Sequence, residues 1–230
     1  MLLQIINLFF PYLCPGCDAV LTDNELIICT DCRHHLPLTN YHFKTQNRIH
    51  KLFENRFTLK DATALFYFQK NSRVQQLLHD LKYKNQQKIG FLLGNWLGHE
   101  LKQCNHFNDI DVVVAVPIHK RRLKSRGYNQ VTTFSIQLAK ILEAQCIAHV
   151  LVKKVHSNTQ VFQSKKKRWE SVKDNFELKN SLAIYKKNVL LVDDLITTGS
   201  TIEACSKILC QGHPSSISVV AIAIADTAFH

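Results

Sequence analysis

The sequence predicts an α/β protein, a parallel sheet flanked by helices, with a small four-cysteine module at its N-terminal end. Three observations predict it. From about residue 61 onward, apolar strand-like runs alternate with segments of helical spacing, the pattern of a parallel sheet with right-handed crossovers. The run Val189, Leu190, Leu191, Val192 reads as a fully buried strand, and it leads through two aspartates and a Thr/Gly/Ser loop into a helix. Near the start, two CxxC pairs stand close together.

Taken in order, residues 1–11 are mostly apolar but lack a basic leader and a small-residue cleavage site, and they are too short to span a bilayer. They are expected to form a short amphipathic helix stopped by Pro11. This helix and the cysteines make a first unit over residues 1–45; residues 46–60, turn-prone and weakly periodic, read as a linker or cap. The main domain is expected over 61–230. It begins with a strand at 62–68, followed by helical spacing at Val74, Leu77, Leu78 and Leu81 and a second helix over 86–101. A buried strand is expected at 111–117, a helix at 129–143, a short strand at 150–152, and a last strand at 216–224. No stretch is long and apolar enough for a membrane span, so the reading is a cytoplasmic protein.

The 230 residues suffice for one core and a small appendage, and 46% hydrophobic with 20% charged residues is ordinary for a soluble globular chain. The charge is not ordinary. With 29 Lys and Arg against 18 Asp and Glu, the net charge is +11, which favours anionic partners such as polyphosphates, nucleic acid or acidic lipid.

Cys14 and Cys17, then Cys29 and Cys32, present four thiolates as structural Zn2+ requires, across a spacer a little shorter than the common zinc-ribbon range but long enough for a short hairpin. Pro15 and Gly16 suit a knuckle turn that aims backbone N–H groups at sulfur. Four thiolates leave no open position, so the zinc is expected to be structural and not catalytic. His34 and His35 follow at once; either could replace a thiolate, but the pair reads as solvated. Cys104, Cys146, Cys205 and Cys210 lie among apolar neighbours and read as small buried hydrophobes.

The strand ending at Asp193 and Asp194 is followed by Thr197, Thr198, Gly199, Ser200 and Thr201 and then by helical spacing. A strand, a small-residue loop and a helix N-terminus together present N–H groups, hydroxyls and a dipole to an anion. Gly199 allows the turn and a close approach of ligand. The alternative is a turn whose Asp and Thr residues merely cap the helix. A second constellation follows the 112–116 strand: Lys120, Arg121, Arg122, Lys124 and Arg126 form a basic loop at a strand's carboxyl end, where open α/β sheets bind ligands. Arginine forks suit a pyrophosphate or a nucleic-acid backbone. A third basic tract ends in Lys165, Lys166, Lys167 and Arg168.

The segment 189–201 resembles the signature of type I phosphoribosyltransferases, which bind 5-phosphoribosyl pyrophosphate (PRPP). That resemblance implies that Asp193 and Asp194 hold the ribose hydroxyls, with Mg2+, and that Thr197 to Thr201 cradle the 5-phosphate. It also implies a loop over the site before the signature strand, although a solvated helix face fits the same basic tract. The cysteine array, LKYK at 81–84, the segment 117–130, Gln160 with Arg168, and the signature are together similar to the ComF family, almost end to end. Ala115 and Ser171 depart from its usual pattern. The family implies natural transformation and the handling of incoming single-stranded DNA, with PRPP as bound ligand and other DNA-uptake or recombination proteins as further partners. Tyr128, Phe162 and Trp169 then become candidates for stacking bases. The alternative is an active phosphoribosyltransferase with an unidentified small-molecule acceptor; no base-specific recognition motif stands out.

Overall fold

The computed structural model describes residues 10–154 and 176–226. The expected N-terminal helix, and Gln160, Phe162, Lys165, Lys166, Lys167, Arg168, Trp169 and Ser171, lie largely or wholly outside that range. The architecture is α/β as expected. The elements are α1 (Thr30–His35), α2 (Arg48–Phe53), β1 (Ala62–Phe68), α3 (Arg73–Tyr83), α4 (Gln87–Lys102), β2 (Val112–Ala115), α5 (Lys120–Arg126), α6 (Thr132–Ile141), β3 (Gln145–Cys146), β4 (Leu151–Lys153), β5 (Phe176–Leu178), β6 (Asn188–Ile196), α7 (Ser200–Leu209) and β7 (Ser216–Ala225). Five strands form one sheet in the order β1-β7-β6-β2-β3, and every pairing in it is parallel.

The sheet is covered on both faces, which is why its central strands are apolar runs and not alternating ones. Leu190 and Val192 of β6 pack into a core with Leu77 and Leu81 of α3, Leu93 and Leu97 of α4, and Phe134 and Leu138 of α6. Val189 and Leu191 point into the opposite core, with Ile49 and Phe53 of α2, Phe176 of β5, and Ile202 and Cys205 of α7. The side-chain period of two thus divides β6 between the faces. On the first face α4 and α6 approach closely: a Cβ on Gly94 would stand 2.8 Å from the Phe134 carbonyl oxygen. Such contact holds α6, and the loop before it, in one position.

Three elements depart from the sequence reading. The stretch at 151–153 leaves the main sheet and pairs antiparallel with β5, Lys153 opposite Phe176. The basic segment is a helix, α5, and not a loop. The His119 imidazole accepts from Arg121 N–H at 3.1 Å at one end, and Gly127 closes the other at φ 78°. Cys146 and Cys210 are exposed, not buried; only Cys104 and Cys205 of the four behave as buried hydrophobes.

The cysteine module packs against the first core through Cys14, Ile28, Cys32 and Leu36. Polar contacts to α3 fix it further: Arg73 pairs with Asp31 at 2.7 Å, and Gln76 donates to Asp18 at 2.7 Å. Arg33 lies 4.1 Å over the Trp96 ring of α4. Residues 48–53 form a capped helix, α2, with Asn47 accepting from Ile49 N–H. Among the described residues no helix is long and apolar enough to cross a membrane.

Candidate ligand site and metal centre

β6 and β2 lie side by side, with Ala115 opposite Val192, so the segments that leave their carboxyl ends are neighbours. That adjacency brings the two constellations read from sequence together. Asp193 and Asp194 are both buried at the end of β6. By the strand's alternation their side chains leave the backbone toward opposite sides of the sheet, yet the two carboxyls stay close enough to act on each other, and Lys82 acts on both.

Asp194 continues the face of Leu190 and Val192. Its Oδ2 accepts from the Lys82 ammonium at 2.7 Å and from the Gln130 amide at 2.9 Å. Gln130 is in turn held by Arg126, which donates to its Oε1 at 2.9 Å. Arg126 also donates to the Tyr83 hydroxyl at 3.0 Å, with its guanidinium 4.7 Å over that ring. Tyr128 is half-buried and donates its hydroxyl to the Leu81 carbonyl, so it serves as a strut between α3 and the 127–131 turn. Asn129 donates to the Val116 carbonyl at 3.0 Å and secures the same turn to the end of β2.

Asp193 continues the other face. Burial, then the charge of Asp194, holds its carboxyl well above the usual carboxylate range, with Lys82 and the Asp194 N–H acting against that rise. Cys205 of α7 lies near enough for Asp193 to raise its thiol, although burial is the larger cause. Lys153 of β4 is lowered, first by burial and next by the charge of Arg122. α5 therefore reaches two groups: Arg122 acts on Lys153, and Arg126 holds Gln130, which donates to Asp194. Lys120, Arg121, Arg122 and Lys124 are exposed, and α5 buries no residue.

The loop after β6 has the form expected. Gly199 adopts φ 75° at the N-terminus of α7, with Thr197, Thr198 and Thr201 exposed around it. The Thr198 and Ser200 hydroxyls are 2.9 Å apart. α2 lies directly against the turn: a Cβ on Gly199 would fall 2.6 Å from the Phe53 ring, and Arg56 donates to the Thr198 carbonyl at 3.0 Å. Glycine is thus required twice, by backbone sign and by space.

Lys82, Gln130, Phe53 and Arg56 escaped assignment from sequence. Lys82 and Gln130 lay inside motifs already singled out, LKYK and 117–130, but their meeting with Asp194 is a long-range contact that no local pattern encodes. The α2 contacts had no sequence signal beyond the buried spacing of Ile49 and Phe53.

Cys14, Cys17, Cys29 and Cys32 bring their sulfurs within 4.8 Å of one another. Four sulfurs around zinc at about 2.3 Å stand about 3.8 Å apart, so small adjustments make the set a tetrahedral site. Backbone N–H groups already point at sulfur: Cys29 N to Cys14 Sγ at 3.3 Å, and Cys32 N to Cys29 Sγ at 3.3 Å. Burial pushes the Cys29 and Cys32 thiols up. At Cys14 burial acts the same way but is outweighed by the Cys29 and Gly16 N–H groups. Four such groups can ionise together only around a cation, and the donor set fits Zn2+. His34 and His35 are exposed.

No family model matches the chain. It is similar to the DNA utilization protein YhgH of Escherichia coli, 26% identical over 212 residues that cover 90% of this chain and 88% of that protein. Competence protein F of Haemophilus influenzae is 32% identical over 141 residues, 58% of this chain and 60% of that one. Competence protein ComFC of Bacillus subtilis is 32% identical over 114 residues, 46% and 42% of the two chains. Among solved structures, an allosteric regulatory enzyme of purine biosynthesis aligns over 63% of this chain and 30% of that one, at 19% identity and a TM-score of 0.44. An adenine phosphoribosyltransferase aligns over 65% and 75%, at 20% identity and a TM-score of 0.41.

Proposed function

We propose that this chain, similar to YhgH, competence protein F and ComFC, belongs with them to the ComF family and is a PRPP-binding, phosphoribosyltransferase-like protein of DNA uptake, handling incoming single-stranded DNA in the cytoplasm. One observation carries the PRPP half: two buried carboxylates end β6, a left-handed Gly199 opens α7, and a basic helix rises from the neighbouring strand. Anion, hydroxyl and cation-binding groups therefore converge where open α/β sheets take their ligands.

In this reading Asp193 and Asp194 accept the ribose hydroxyls. Lys82 and Gln130 fix the orientation of Asp194. Thr197, Thr198, Gly199, Ser200 and Thr201 enclose the 5-phosphate with hydroxyls and N–H groups. Arg122 and Arg126 serve the pyrophosphate, with Lys120, Arg121 and Lys124 extending the field. Arg168, also expected there, lies outside the described residues. Mg2+ would be held by Asp193 and Asp194 and would neutralise pyrophosphate charge. The four-cysteine centre holds structural zinc.

The DNA half is supported by the relatives' names and by the +11 charge. Other DNA-uptake or recombination proteins are the further partners it implies. Titration with PRPP and Mg2+ by calorimetry, together with single-strand binding by anisotropy, tests the two halves separately. Absence of PRPP binding overturns the ligand assignment. Release of pyrophosphate in the presence of a small-molecule acceptor would move the chain to the alternative, an active transferase.

A further inference from the structure

The described surface offers three exposed aromatic rings with cations near them, those of Tyr12, Tyr83 and Tyr185, and two of the three are close together. Tyr12 is 66% exposed and Lys88 of α4 stands 5.5 Å from its ring centroid. Tyr83 is 63% exposed, with Arg126 at 4.7 Å from its centroid and the His79 ring at 5.0 Å. The two sites are neighbours in the fold, since Tyr83 ends α3 and Lys88 begins α4, with exposed Lys84 in the turn between. Asp80, the carboxylate beside Tyr83 on α3, is buried and already paired with Lys84 at 3.1 Å and with His79 at 3.3 Å.

The Tyr83 ring is held through its hydroxyl, and Tyr12 is held through its backbone. Tyr12 belongs to the cysteine module: its carbonyl accepts from Leu21 N–H at 2.8 Å, beside the Leu13–Val20 bridge. The Tyr83 hydroxyl accepts from Arg126. Folding gains little by leaving two large rings in water, but a base can stack on a ring held this way while the cation beside it meets a phosphate. Other cation–ring pairs differ. Trp96 beneath Arg33 is half-buried, with its N–H committed to Glu100 at 2.7 Å. Lys186 over Tyr185 lies just before β6, at the amino ends of the strands.

We propose that Tyr12 with Lys88 and Tyr83 with Arg126 are two stacking stations of a single-stranded DNA track that runs from the edge of the cysteine module, round the α3–α4 turn, to α5. The proposal rests on the DNA half of the function above. Through Arg126, which also holds Gln130 against Asp194, the track ends at the ligand site. Tyr128, a candidate for stacking from sequence, is instead the half-buried strut.

The test is anisotropy of a fluorescein-labelled oligothymidylate across a salt series, on the full zinc-loaded chain, with folding checked by circular dichroism. Tyr12→Ala and Tyr83→Ala are each expected to weaken binding about tenfold while leaving the salt slope unchanged, because stacking releases no counterions. Tyr83→Phe, which keeps the ring and removes the hydroxyl, should bind like the parent. Lys84→Gln with Lys88→Gln should flatten the slope by about 0.7 for each phosphate no longer neutralised. If the parent chain binds and both alanine variants bind equally well, the track is wrong and the DNA reading stands. If the parent chain fails to bind even at low salt, both are overturned.

Discussion

The cysteine cluster and the aspartate pair solve the same electrostatic problem in opposite ways. Each crowds acidic groups into a buried place. The four cysteines close on themselves, with sulfurs within 4.8 Å and backbone N–H groups turned inward, so one ion can satisfy the whole set. The aspartates do not close on one partner. Asp194 is answered by Lys82 and Gln130, whereas Asp193 is left with a raised carboxyl beside the buried thiol of Cys205. A closed set builds structure, while an open pair leaves lone pairs for a ligand. α3 touches both regions. Its first turns hold the module through Arg73 and Gln76, and its last turn supplies Lys82.

The largest effect should come from opening the closed set. Chelation, or Cys17→Ser with Cys29→Ser, should abolish zinc binding and unfold the module, since apparent zinc affinities of isolated fingers reach about 10–16 kcal/mol. Elemental analysis should find one zinc per parent chain and none in the variant. A parent chain without zinc would break the comparison outright. Next in size, Asp193→Asn with Asp194→Asn should lower PRPP affinity by about 3–6 kcal/mol, the worth of two charge-assisted hydrogen bonds, while circular dichroism stays unchanged. Calorimetry showing parental affinity would remove the open pair from the site.

Gly199→Ala should destabilise by about 2–4 kcal/mol, from left-handed strain together with the clash on Phe53. Pairing it with Phe53→Leu should recover part of that loss in urea unfolding, which a purely conformational penalty would not allow. The smallest effect sharpens the answer given to Asp194. Lys82→Met should cost about 1–2 kcal/mol in urea unfolding, because its ammonium is partly in water, and Lys82→Arg should keep most of it.

Much of this was legible in the sequence wherever the signal was local. The apolar run of β6, the spacing of Val74, Leu77, Leu78 and Leu81, and the two CxxC pairs each encode their structure within a few residues. α5 was missed because a helix that buries nothing has no apolar period. Its signals were the caps, His119 before it and Gly127 after it, and they were present. β3 and β5, of two and three residues, are too short for any period to register. The partners of Asp194 come from the end of α3 and the turn before α6, and only packing brings them together.

The antiparallel pair of β4 and β5 has an evolutionary consequence. Lys153 stands opposite Phe176, so two positions far apart in the chain are held side by side. Adding or removing residues between two positions paired in this way leaves the register of the five-stranded sheet untouched, and closure entropy grows only logarithmically with length. Insertions and deletions there should accumulate among relatives while β6 and α7 keep their spacing.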